Sequence, residues 1–227
     1  MKTKIFNLII IDESGSMQPL VKATVSGCNE TINTIISSQE QFAETQENFV
    51  SVYVFQGGTA IPSRYLYFNV PAQNIAPVTE EQYRPLGNTP LYDAIGMSVG
   101  ALQEHMKEYS QAIASVTIIT DGYENSSTEF NSRSIAAMID KLKKKGWNFN
   151  FIGANIDAEQ VADTLNIDNS LSFVATPGGT KEMWSIFSEC RSIYGTRIHE
   201  IFTQDIDDDE DEDTFEERCS KAADNFF

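Results

Sequence analysis

Short apolar runs alternate with segments of helical period along this chain, and that alternation restricts the fold more than any other feature. "NLIII" at residues 7–11 and "VSVYVF" at 50–55 carry apolar side chains at nearly every position, and "SVTIIT" at 115–120 mixes Val and Ile with small hydroxyl residues. Runs this short and this continuously apolar read as strands buried on both faces, as in a parallel sheet covered by helices on two sides. Strands are therefore expected over residues 4–11, 48–55, 63–70, 114–120 and 147–152, with a weaker one at 170–174.

Between them the period changes to three and four. Val21, Val25, Cys28, Ile32 and Ile35 mark one helix, and Leu91, Ile95, Val99, Leu102 and Met106 a second. Ile135, Met138, Ile139 and Leu142 mark a third, closed by "KLKKKG", where cations and a glycine suit a carboxyl terminus. Shorter and longer helices are expected near 157–165 and 179–195. The link from 56 to 62 is too short for a helical crossover, so strands 48–55 and 63–70 should be antiparallel neighbours. The fold class follows: α/β, a doubly wound three-layer sandwich. It has a mostly parallel, Rossmann-like central sheet with one antiparallel edge strand.

Of 227 residues, 16 are basic and 33 acidic, a net charge of −17. That balance argues against nucleic acid and anionic membranes as unaided partners, because phosphate contacts need clustered Lys and Arg. Residues 205–217, "DIDDDEDEDTFEE", hold ten of those acids. The rest of the chain, with 23 acids against 16 bases, sits near −7. We expect a domain over residues 1–200 and a disordered acidic tail over 201–227. "MKTKIFNLIIID" is too short and too polar for a signal peptide, and no run reaches the roughly 18 apolar residues of a membrane span. Cys28, Cys190 and Cys219 are odd in number and lack a CxxC pair, which points to a reducing, cytoplasmic setting.

In an open parallel sheet, ligands gather beyond the carboxyl ends of the strands, where strand order reverses. Two expected strands end in an acid: Ile11 precedes Asp12, and Thr120 precedes Asp121. Ser14 and Ser16 add hydroxyls at alternate positions around Gly15, and Thr89 adds another in "GNTPLYDAIG". Such an all-oxygen donor set suits Mg²⁺, with Mn²⁺ and Ca²⁺ as alternatives, and disfavours zinc. His105 and His199 are far apart and read as packing or surface residues.

Each residue also has a plainer reading. Asp12 or Ser14 can open a turn, and Ser16 can cap the helix after Pro19. Thr89 can be an N-cap with Pro90 at the first helical position, and Asp121-Gly122 an ordinary turn. Asp93 and Asp140 lie within helical patterns and are expected to face solvent.

"DESGSM", "TPLYDAIG" and "TDGYEN", in that order, resemble the von Willebrand factor type A (vWA) domain and its metal-ion-dependent adhesion site (MIDAS). The resemblance covers about residues 3–196. It implies Ser14, Ser16 and Thr89 as hydroxyl ligands, and Asp12 and Asp121 as carboxylates that often act through water. It further implies protein–protein interaction rather than catalysis: a partner protein presents an Asp or Glu carboxylate to the cation. Compact intracellular members of this kind include adaptors of bacterial stress and tellurite-resistance systems, and a bacterial or phage adaptor is the expectation here.

The alternative is a Mg²⁺-dependent phosphatase of the haloacid-dehalogenase type, which also opens on a strand ending in Asp. Such enzymes need a second acid two positions on, where this chain has Ser14. "ESGSM" is not a GxSxG nucleophile elbow either. In the tail, Asp205, Asp207, Asp209 and Glu216 match EF-hand spacing, but Glu210 stands where the sharp turn needs glycine.

Overall fold

A computed structural model describes residues 2–58, 60–109, 112–203, 212–223 and 226. Six strands form one sheet: β1 (Thr3–Asp12), β2 (Gln46–Phe55), β3 (Arg64–Pro71), β4 (Ala112–Thr120), β5 (Asn148–Ala154) and β6 (Asn169–Phe173). Their order is β3-β2-β1-β4-β5-β6. Only β3 runs antiparallel, against β2, through a register broken near Val52. The chain winds outward from β1 to β3, then returns to the other side of β1 with β4. The strand order thus reverses between β1 and β4, the position where a crevice opens at the carboxyl edge.

Because side chains alternate along a strand, β1 feeds two cores at once. Ile5, Ile9 and Ile11 join the layer of α1 (Val21–Gln41) and α5 (Pro177–Thr203). Phe6, Leu8 and Ile10 join that of α2 (Leu91–Met106), α3 (Ser132–Lys143) and α4 (Ala158–Thr164). Burial on both faces is why the sequence there is a continuous apolar run rather than an alternating one. Helices α1 and α5 approach closely at Gly27, where any Cβ would run into the Trp184 ring. Helix α3 starts on a capping box between Asn131 and Ser134 and closes on Gly146 at φ 75°. Trp184 and Phe187 are core residues. Among the described residues, no helix is long and apolar enough to cross a membrane.

The carboxyl-terminal region departs from expectation. Helix α5 runs through the expected boundary at residue 200 and ends only at Thr203. A further helix, α6, spans Glu212–Ala223. Cys219, Ala222 and Phe226 are buried in the same core as α1 and α5. The Phe226 ring lies 6.0 Å from Phe187 and 5.7 Å from Tyr194, centroid to centroid. Residues 212–223 of the segment expected to be a disordered tail are thus helical. Acid-rich composition masked Cys219 and Ala222 on the helix and Phe226 just beyond it, and their burial in this core offsets the cost of ordering the segment. Residues 204–211, including Asp205, Asp207 and Asp209 of the EF-hand match, lie outside the described residues.

Candidate functional site

The carboxyl ends of β1 and β4 bring Asp12 and Asp121 to the two sides of the switch point. Asp12 is the last residue of β1, and its carboxylate is fully buried. One of its oxygens accepts from the Ser14 amide at 2.7 Å, the other from the Thr120 hydroxyl at 2.6 Å. Burial pushes its pKa up to about 6, and these donors hold it back only in part. Burial also raises Asp121, against a hydrogen bond from Ser16 that lowers it.

Beyond Asp12 the chain turns into a short 3₁₀ helix, Gly15–Leu20. Ser14 stands at its N-cap position in extended backbone, yet its side chain makes no capping bond. Instead the Ser14 and Ser16 hydroxyls lie 3.1 Å apart, and Ser16 donates to an Asp121 oxygen at 2.6 Å. A continuous row of oxygens thus runs from Ser14 through Ser16 to Asp121. Thr89 closes the crevice from above α2. A Cβ built on Gly122 would sit 3.1 Å from the Thr89 hydroxyl, so that hydroxyl lies against the residue after Asp121.

Thr89 is not an N-cap: Pro90 holds that position, without a side-chain capping bond. The Thr89 backbone is clamped instead, its amide donating to Asn125 Oδ1 at 2.9 Å and its carbonyl accepting from the Asn125 amide at 3.2 Å. The plain turn reading does hold in part for Asp12, whose bond from the Ser14 amide is an Asx turn. All five residues singled out in the sequence, Asp12, Ser14, Ser16, Thr89 and Asp121, converge on this crevice.

The donors offered are two carboxylates and three hydroxyls. Among the described residues, no group of three or more His, Cys, Asp and Glu side chains is placed to hold a metal. The five donors include no His or Cys, so the set is sparse and all-oxygen. Hard divalent cations that keep several waters fit such a set. His105 and His199 pack against aromatic rings: His199 stacks on Phe42, and His105 meets Phe6 edge-on.

Several residues that support the crevice went unnoticed in the sequence. Tyr83 is buried beneath it and donates to the Asp12 carbonyl; burial, then the charges of Asp12, Glu13 and Asp121, push its phenol well up. Glu124 accepts from the amides of Ser126 and Ser127 and from that of Tyr92, pinning the 121–131 loop to α2. Asp93, expected to face solvent, accepts from the amides of Thr128, Glu129 and Phe130. Away from the crevice, Asp140 is exposed, as expected, and accepts from the Asn166 side-chain amide at 2.9 Å. Glycine, Ser and Asn enrichment in "DGYENSSTEFNS" was the available signal of a loop rich in side-chain-to-backbone bonds.

Fold and site together define a class: a doubly wound α/β domain with a row of oxygens at its switch point. More particularly, the fold is vWA-like. The SpRpn10 VWA domain aligns at TM-score 0.50 and 16% identity, covering 78% of this chain and 92% of that one. Manganese-loaded Plasmodium vivax TRAP protein aligns at TM-score 0.51 and 17% identity, covering 76% of this chain and 69% of that one. Proximal thread matrix protein 1 from the mussel byssus aligns at TM-score 0.55 and 9% identity. This chain, 84% covered, spans about half of that protein (47%), and 31% of the Lactobacillus rhamnosus pilus adhesin SpaC, which aligns at TM-score 0.59. No protein-family model matches the sequence, and neither does any curated protein.

Proposed function

We propose that this chain is a protein-interaction module whose crevice holds a divalent cation between Asp12, Ser14, Ser16, Thr89 and Asp121. Mg²⁺ is the expected ion, with Mn²⁺ and Ca²⁺ as alternatives. The observation that carries this reading is the oxygen row from Ser14 through Ser16 to Asp121, with the Thr89 hydroxyl beside it. None of these hydroxyls caps a helix, so their convergence has no local structural cause.

A cation in such a site, with few charged ligands, supplies an electron-poor centre for a carboxylate from a partner protein. The chain's own part is to hold the donors in place. Thr120 and the Ser14 amide orient Asp12, while Asn125 fixes Thr89. Tyr123 and Leu86, both 53% exposed, stand on the two loops that bound the crevice and offer apolar contact to residues flanking the partner's acid. The loops around Gly57, Gly87 and Tyr123 would then set specificity. A cytoplasmic adaptor role in a bacterial or phage system, of the stress or tellurite-resistance kind, goes with this reading, and three widely spaced cysteines with no CxxC pair suit it.

An affinity pull-down with wild type and Asp12→Ala, in Mg²⁺ or EDTA, tests it. A partner retained by wild type in Mg²⁺ and lost under the other conditions supports the reading; retention throughout refutes it. The phosphatase alternative lacks its second acid, since Ser14 occupies that place and its amide is spent on Asp12. Mg²⁺-dependent turnover of a generic phosphoester, abolished by Asp12→Asn, would favour that alternative.

A further inference from the structure

The DESGSM segment divides its work by parity. Positions 12, 14 and 16 supply the crevice oxygens, whereas positions 13 and 15 hold the loop that delivers Thr89. The Gly15 amide donates to the Gly87 carbonyl at 3.1 Å, and the Glu13 carbonyl accepts from the Leu86 amide at 2.8 Å. One residue further along, Gly57 and Asn88 exchange backbone bonds of 2.9 and 2.8 Å.

The Glu13 side chain is the centre of this arrangement. It is fully buried, an unusual place for a carboxylate. Arg64, at the start of edge strand β3, grips it with both guanidinium nitrogens, at 2.7 and 3.0 Å. Gln56, just past β2, donates to it at 2.8 Å, and the Arg84 amide donates to its other oxygen. Arg64 also donates to the Gln82 carbonyl at 2.7 Å. Four donors fill the carboxylate, and the forked pairing with Arg64 is the strong, directional kind. No acceptor site is left over for a cation, so Glu13 is not a sixth ligand. It ties β1, β2, β3 and the 82–88 loop to one point, immediately between Asp12 and Ser14.

We propose that Glu13, held by Arg64, is a positioning residue that sets the distance between the Ser14–Ser16 oxygens and Thr89, and thereby the cation affinity of the crevice. This rests on the reading of the crevice as a cation site. Outer partners of ligands typically govern metal affinity by about 10–100-fold.

The test is Mn²⁺ titration by calorimetry on the full chain, with circular dichroism melts and amide exchange of Gly15, Leu86 and Asn88 in the metal-free protein. Variants are Glu13→Gln, Arg64→Met, Arg64→Lys and their wild type, with Asp12→Ala as ligand control and Leu142→Ala as a core control remote from the crevice. The expected result is a Mn²⁺ affinity lower by about 10–100-fold in Glu13→Gln and in Arg64→Met, with faster exchange at the three amides. Arg64→Lys, which keeps the charge without the fork, should recover part of the loss. Leu142→Ala should lower the melting temperature without moving the affinity. If Glu13→Gln behaves like Leu142→Ala, less stable but with wild-type affinity, the positioning role is refuted and the cation reading stands. If wild type binds no more Mn²⁺ than Asp12→Ala, the cation reading itself fails, and the positioning role with it.

Discussion

Ser16 Oγ lies 2.6 Å from Asp121 Oδ1, a bond that spans 105 residues of chain and joins the loop after β1 to the loop after β4. Neither residue has a local reason to be there. Ser16 sits inside a 3₁₀ turn with its hydroxyl turned away from the helix backbone, toward an acid on the other side of the switch point.

That bond predicts matched behaviour of its two ends. Ser16→Ala and Asp121→Asn should each weaken Mn²⁺ or Mg²⁺ binding by at least the roughly 10–100-fold typical of losing an outer partner. The melting temperature of the metal-free protein should change little, because Ser16 is exposed and Asp121 half-buried. Calorimetric titration alongside thermal melts checks both.

Asp12 predicts a pH dependence of opposite sign with and without cation. Its folded pKa of about 6 lies above the ordinary 3.8, through burial. Without cation, its contribution to stability is present in full below about pH 4 and is lost as pH rises through 6. The swing is on the order of 3 kcal/mol, at about 1.4 kcal/mol per pKa unit. A bound cation needs the ionised carboxylate, so stabilisation by Mg²⁺ should grow over the same interval. Melting temperatures from pH 4 to 8, in EDTA and in Mg²⁺, should converge at the acid end and separate above 6.

Gly27 predicts a packing limit between α1 and α5. Gly27→Val should destabilise by about 1–3 kcal/mol, as overpacking does, because its side chain meets the indole of Trp184 rather than solvent. Urea unfolding of the variant measures this. Substitution at Gly100, where an added Cβ meets nothing within 4 Å, serves as the control.

Phe226 predicts that the acidic end of the chain supports the fold. Phe226→Ala should cost about 3–5 kcal/mol, in line with other buried phenylalanines. Deletion of residues 204–227 should destabilise further by exposing Phe187 and Tyr194. Chemical denaturation compared with the full chain tests both. An unchanged midpoint would return α6 to the status of a solvated appendage.

The sheet was legible because burial on both faces writes itself into contiguous residues. β1, β2 and β4 are apolar runs bounded by polar ends, and the short 56–62 link required β3 to turn back on β2. Asp12, Ser14 and Ser16 were legible as a spaced set, and Thr89 and Asp121 as residues at element ends. Their periods and positions are local properties, set by side-chain alternation and by where helices and strands stop.

Glu13 was not legible. A glutamate after a strand reads as solvated, and only Arg64, 51 residues away, together with Gln56 and Arg84 makes its burial affordable. Tyr83 and Asn125 likewise matter only through residues 71 and 36 positions distant. Asp93 looked like a helix-surface acid until the 128–130 amides folded over it. Around α6 the acids dominate the local signal, whereas Cys219, Ala222 and, beyond the helix, Phe226 count only when α5 lies beside them. What the sequence determined alone was therefore the sheet and the list of crevice oxygens, since both arise from short-range periodicity. Tertiary structure decided which buried charges are paired and which acidic segment folds, since those depend on partners that the chain brings together only when closed.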